Sequence, residues 1–97
     1  MKTTVLCLTA ALALGFTSNL HAAPGVTDTE ITLGQTAVFE GPASALGLGM
    51  RAGLQACFNQ VNESGGVAGR KIKLITKDDG YEPDKAIANT RALINDD

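Results

Sequence analysis

Several groups of side chains in this 97-residue chain have the types and spacing that chemistry needs. Asp78-Asp79 follows an alternating apolar stretch, a setting in which paired carboxylates can ligate a metal or form a phospho-acceptor pocket. The plainer reading is an acidic strand end that caps the following helix, with Asp79 favoured by the helix dipole. Gly47-x-Gly49-x-x-Ala52 fits a dinucleotide fingerprint in form, with Asp78 or Asp79 as its ribose-binding acid. Those glycines fall well beyond the tight turn that would place a pyrophosphate at a helix start, so they read as structural. In the loop Phe39-Glu40, the carboxylate either meets a ligand ammonium or is a solvated loop charge, and the ring either lines a cleft or plugs the sheet edge. Tyr81 and Glu82 either stand at a cleft rim or shape the turn before Pro83. Arg70-Lys71-x-Lys73 has no aromatic interleaving and reads as the solvated entry to a strand.

The elements that position these residues differ in period. Ile31, Leu33, Gln35 and Ala37 alternate with Thr32, Gly34, Thr36 and Val38, which predicts a strand led in by an exposed extended arm, Val26 to Glu30. Gly41-Pro42 breaks it. Leu46, Met50, Gly53, Leu54, Cys57, Phe58 and Val61 recur at helical spacing, with Ser44 as the expected N-cap and Gly65-Gly66 as the stop. In that stripe Cys57 reads as a small core residue, and Gly53 as the point where the helix presses on the sheet. Val67 to Arg70 turns the chain into a second strand, Lys71 to Lys77. Pro83 opens a second helix, with Ala86, Ile87, Thr90, Leu93 and Ile94 as its expected inner face. This strand-helix-strand-helix order is the start of an open parallel, Rossmann-like α/β sheet with right-handed crossovers.

Ahead of these elements, Met1-Lys2, an apolar run from Val5 to Phe16 and the small and polar stretch Thr17 to Ala23 have the three parts of a secretory signal. The run is shorter than the roughly 20 apolar residues of a membrane span. Cleavage near Ala22 is expected, giving a signal over residues 1–22 and an exported chain from 23 to 97. Removing the signal takes Lys2 from the eight basic residues and none of the ten acids, which leaves a net charge of −3 and no basic patch for nucleic acid. Cys7 and His21 leave with it, so Cys57 has no disulfide partner and no histidine remains. Such a segment cannot by itself build the usual metal cages or His-assisted nucleophiles, so no catalytic residue, metal site or cofactor is expected within it. Two strands do not complete a sheet, so residues 23–97 read as the incomplete amino-terminal lobe of a longer protein.

Taken together, Gly41-Pro42-Ala43-x-Ala45-x-Gly47, Gly53, Val61-Asn62-x-x-Gly65-Gly66-Val67-x-Gly69-Arg70-Lys71-Ile72, Asp78-Asp79 and Pro83 resemble the opening of the type I periplasmic binding proteins of the leucine/isoleucine/valine-binding family. The resemblance covers about residues 26 to 96. It implies the amino-terminal lobe of a two-lobed, hinged protein in the periplasm, which closes on a branched-chain amino acid or a related small solute and delivers it to an ABC permease of the inner membrane without breaking a bond. It assigns most ligand contacts to positions beyond Asp97 and leaves Phe39, Glu40 and Leu46, on or beside the loop after the first strand, as the candidate ligand-binding residues. Close relatives often carry at the position of Leu46 an aromatic that covers the ligand, so the solute's identity stays open. Relatives can also carry a disulfide cysteine near Tyr81, and none stands there in this chain. An extracellular sensing domain on the same lobes, or a secreted α/β enzyme, are the alternatives.

Overall fold

The computed structural model describes residues 23–96. The expected signal over residues 1–22, with its cleavage site near Ala22, lies outside them. Strand β1 (Glu30–Ala37) is followed by helix α1 (Ser44–Glu63), strand β2 (Lys71–Asp78) and helix α2 (Pro83–Asn95). The strands pair in parallel, from Glu30 opposite Lys71 to Ala37 opposite Asp78.

Register and alternation put the helices on opposite faces. Gly34 and its partner Ile75 share one face, where a Cβ on Gly34 would lie 3.1 Å from the Leu93 side chain of α2. Leu33 and Leu74 share the other, and there Leu74 lies beneath Gln55, Phe58 and Asn59 of α1. Helix α1 packs mainly on β2 and α2 mainly on β1. Among the described residues only Val38, Gly47 and Asp79 are buried.

The boundaries follow local chemistry. Helix α1 ends in paired backbone bonds, Gly66 N–H to Val61 O at 2.9 Å and Gly65 N–H to Asn62 O at 3.2 Å. This Schellman closure needs the left-handed conformation that Gly65 adopts at φ 103°. Val67 and Arg70 then exchange backbone bonds of 2.8 and 2.9 Å across Ala68-Gly69, both at positive φ, and the chain enters β2.

Five expectations are corrected. Residues 26–30 do not form an extended arm: Val26 bridges Ile31 antiparallel, and Thr32 N–H bonds Gly25 O at 2.7 Å, because the Thr27 hydroxyl folds the segment by accepting from Glu30 N–H at 3.0 Å. Ser44 is the first helical residue and not the N-cap; the cap position is Ala43, with no side-chain bond. A Cβ on Gly53 would meet nothing within 4 Å, whereas one on Gly47 would overlap the carbonyl oxygen of Val38, so the close approach of α1 is at Gly47, against the residue that follows β1. Cys57 is exposed on the part of the α1 stripe that no described residue covers. On α2 the inward residues are Ala86, Asn89, Ala92 and Leu93, while Ile87, Thr90 and Ile94 are exposed. The helix is turned this way because Asn89 Nδ2 donates to Thr36 Oγ1 at 3.1 Å and to Asp78 O at 2.9 Å.

Candidate functional site

The loops at the carboxyl ends of both strands lie side by side, where open α/β sheets form their ligand crevices. Asp78 and Asp79 bind them together. Asp78 Oδ1 accepts from the Phe39 N–H at 2.7 Å and from the Gly80 N–H at 3.3 Å, joining the loop after β1 to the loop after β2. The Phe39 N–H is the main reason the Asp78 carboxyl is held below its ordinary range; Gly80 and Glu40 N–H groups and the Lys85 charge add to it against an opposing desolvation. Asp79 is buried, its Oδ2 accepting from the Thr36 hydroxyl at 3.0 Å and its Oδ1 from the Tyr81 N–H at 2.8 Å.

Both acids are thus engaged by the protein's own donors. The expectation that they cap the following helix is corrected: α2 starts after Glu82 with no side-chain cap, its first-turn acid is Asp84, and Asp79 orders the turn ahead of it. Among the described residues no three His, Cys, Asp or Glu side chains group as a metal site would require. Gly47 and Gly49 lie inside α1, away from any strand-to-helix turn.

The three candidate ligand residues are not equivalent. Phe39 is half-buried with the Arg51 guanidinium 4.3 Å above its ring centroid, so a cation–π contact to α1 fixes the ring. Glu40 is exposed at the loop tip. Leu46 is 63 % exposed and lines a groove of about 520 Å³ with Gln35, Met50, Leu54, Asp79 and Tyr81, which neither Phe39 nor Glu40 lines. The carbonyl oxygen of the Gln35 side chain is buried there without a hydrogen-bond partner among the described residues. Tyr81 was legible only as a turn or rim residue; it stands at the groove because the Asp-Gly pair before it sets a tight reversal.

Against known proteins, residues 30–97 match the family model described as periplasmic binding protein. The Leu/Ile/Val-binding protein BraC3 of Rhizobium johnstonii is 31 % identical over 96 residues, 99 % of this chain and 24 % of that protein. The leucine-, isoleucine-, valine-, threonine- and alanine-binding protein of Pseudomonas aeruginosa is 34 % identical over 90 residues, 92 % of this chain and 23 % of its own length. Among solved structures, a fatty acid ABC transporter substrate-binding protein from Thermomonospora curvata superposes with a TM-score of 0.71 at 38 % identity, covering 74 % of this chain and 18 % of that one. The chain therefore spans about a quarter of the length of the curated relatives it matches.

Proposed function

Because this chain belongs to the periplasmic binding protein family, we propose that it supplies part of the solute site of an ABC importer's substrate-binding protein, for branched-chain amino acids or related small solutes. The observation that carries the reading is Leu46, a large apolar side chain left 63 % exposed on a groove at the carboxyl ends of two parallel strands. Relatives named for binding leucine, isoleucine and valine, and one named for a fatty acid, support an apolar solute body. Burying one such side chain against it contributes about 1.5–3 kcal/mol.

In this reading Leu46 packs on the apolar part of the solute, while Phe39, held by Arg51 and Asp78, and Glu40 form the lip of the site. Glu40 is the acid available to a solute ammonium. The protein works after export, outside the inner membrane, with the permease as its partner; it closes on the solute and releases it unchanged. No helix among the described residues is long and apolar enough to cross a membrane.

Thermal-shift screening of the full-length protein tests this. Leucine, isoleucine, valine, alanine and a medium-chain fatty acid are the panel, and at least one is expected to raise the melting temperature in proportion to ln(1 + [L]/Kd). A panel with no stabilising member contradicts the proposal.

A further inference from the structure

The reversal from β2 into α2 is the four-residue turn Asp79-Gly80-Tyr81-Glu82, closed by Glu82 N–H to Asp79 O at 2.9 Å. Both central residues have positive φ, 58° at Gly80 and 64° at Tyr81, as a type I′ turn requires. Glycine adopts this region freely, but a bulky aromatic there is an outlier that costs about 1–3 kcal/mol. The buried Asp79 carboxylate enforces it by accepting the Tyr81 N–H at 2.8 Å.

The side chain recovers little of that strain inside the fold. Tyr81 is 69 % exposed, and among the described residues its hydroxyl has no hydrogen-bond partner. The strained conformation instead sets the ring on the groove that Leu46 and Met50 line from α1, at the carboxyl end of β1. A glycine or asparagine would make the same turn without strain, so what the position gains from tyrosine is its ring and hydroxyl.

We propose that Tyr81 is a specificity-determining residue of the solute site, its ring forming the wall that faces Leu46 and its hydroxyl meeting a polar group of the solute. An aromatic plane with one hydrogen-bonding tip suits a small solute with an apolar body and a polar head, as an amino acid with an aliphatic side chain has. This inference rests on the solute-binding reading above.

Calorimetric titration of the full-length protein with leucine, valine, alanine and phenylalanine, as wild type, Tyr81→Gly, Tyr81→Asn and Tyr81→Phe, tests it. Tyr81→Gly and Tyr81→Asn are expected to melt about 2–4 °C higher without ligand, as strain is released, yet to bind the tightest wild-type ligand at least about tenfold more weakly and to alter the preference among the four. Tyr81→Phe should keep the ring's contribution and lose the hydroxyl's, falling between. Wild-type binding with affinities and preference unchanged in all three variants overturns this assignment alone. Absence of binding by the wild type to all four overturns this assignment, and if isoleucine and the medium-chain fatty acid fail as well the binding reading falls with it.

Discussion

The side-chain amide of Asn62 engages both backbone groups of Ile72, its Oδ1 accepting from the Ile72 N–H at 2.7 Å and its Nδ2 donating to the Ile72 carbonyl at 2.8 Å. Since β1 occupies the other edge of β2, the amide stands where one residue of a further strand would stand and ties the end of α1 to the sheet. Replacing Asn62 by alanine leaves a part-buried N–H and C=O without these partners, and a loss of about 2 kcal/mol is expected. Urea unfolding of the full-length protein measures the loss, and faster hydrogen exchange at the Ile72 amide localises it. An unchanged midpoint would show that water replaces the amide at no cost.

The clamp between Phe39 and Asp78 depends on charge. The Asp78 carboxyl is held below its ordinary range in the fold, chiefly by the Phe39 N–H, so its contribution is fully present above the ordinary carboxylate range and is lost as pH falls through the lowered value. The Phe39 amide resonance should therefore titrate with a midpoint below that of a free aspartate, and Asp78→Asn should abolish the titration. A midpoint at or above the ordinary value contradicts the clamp.

Gly47 and Gly53 should respond oppositely to alanine. A Cβ at position 47 would overlap the Val38 carbonyl, which is main chain and cannot turn aside, so Gly47→Ala is expected to cost about 3 kcal/mol or more. At position 53 there is open space within a helix, and Gly53→Ala should stabilise by about 1 kcal/mol. Paired thermal melts decide this, and equal effects would place the contact between helix and sheet elsewhere.

Which of these features the sequence disclosed depends on how local their causes are. Alternation over Ile31–Val38 and Lys71–Lys77, the Gly65-Gly66 stop and Pro83 located all four elements, because each signal acts within a few residues of where it is read. The phase of α2 was missed because its anchor is Asn89, a polar residue whose partners, Thr36 and the Asp78 carbonyl, lie on two strands and leave no trace in hydropathy. The close approach was assigned to Gly53 because helical spacing picks out a stripe without saying where on it the sheet comes nearest; Gly47, seven residues before Leu54, carried the same phase. Around the strand ends, the sequence placed Phe39 and Glu40 on the loop after β1, but the contact of Arg51 with Phe39 and the left-handed conformation of Tyr81 arise from tertiary packing and turn closure.

Whether Leu46 meets a solute is tested by isothermal titration of the full-length protein against leucine, isoleucine and valine, with the ligand recovered afterwards. The expected result is saturable binding with the ligand recovered unchanged. In Leu46→Ala, affinity should fall by about 1.5–3 kcal/mol, roughly 10- to 150-fold, while the ligand-free melting temperature stays nearly constant because the side chain is 63 % exposed. Consumption of the ligand, or an affinity indifferent to the loss of Leu46, would contradict a binding protein whose Leu46 packs on its solute.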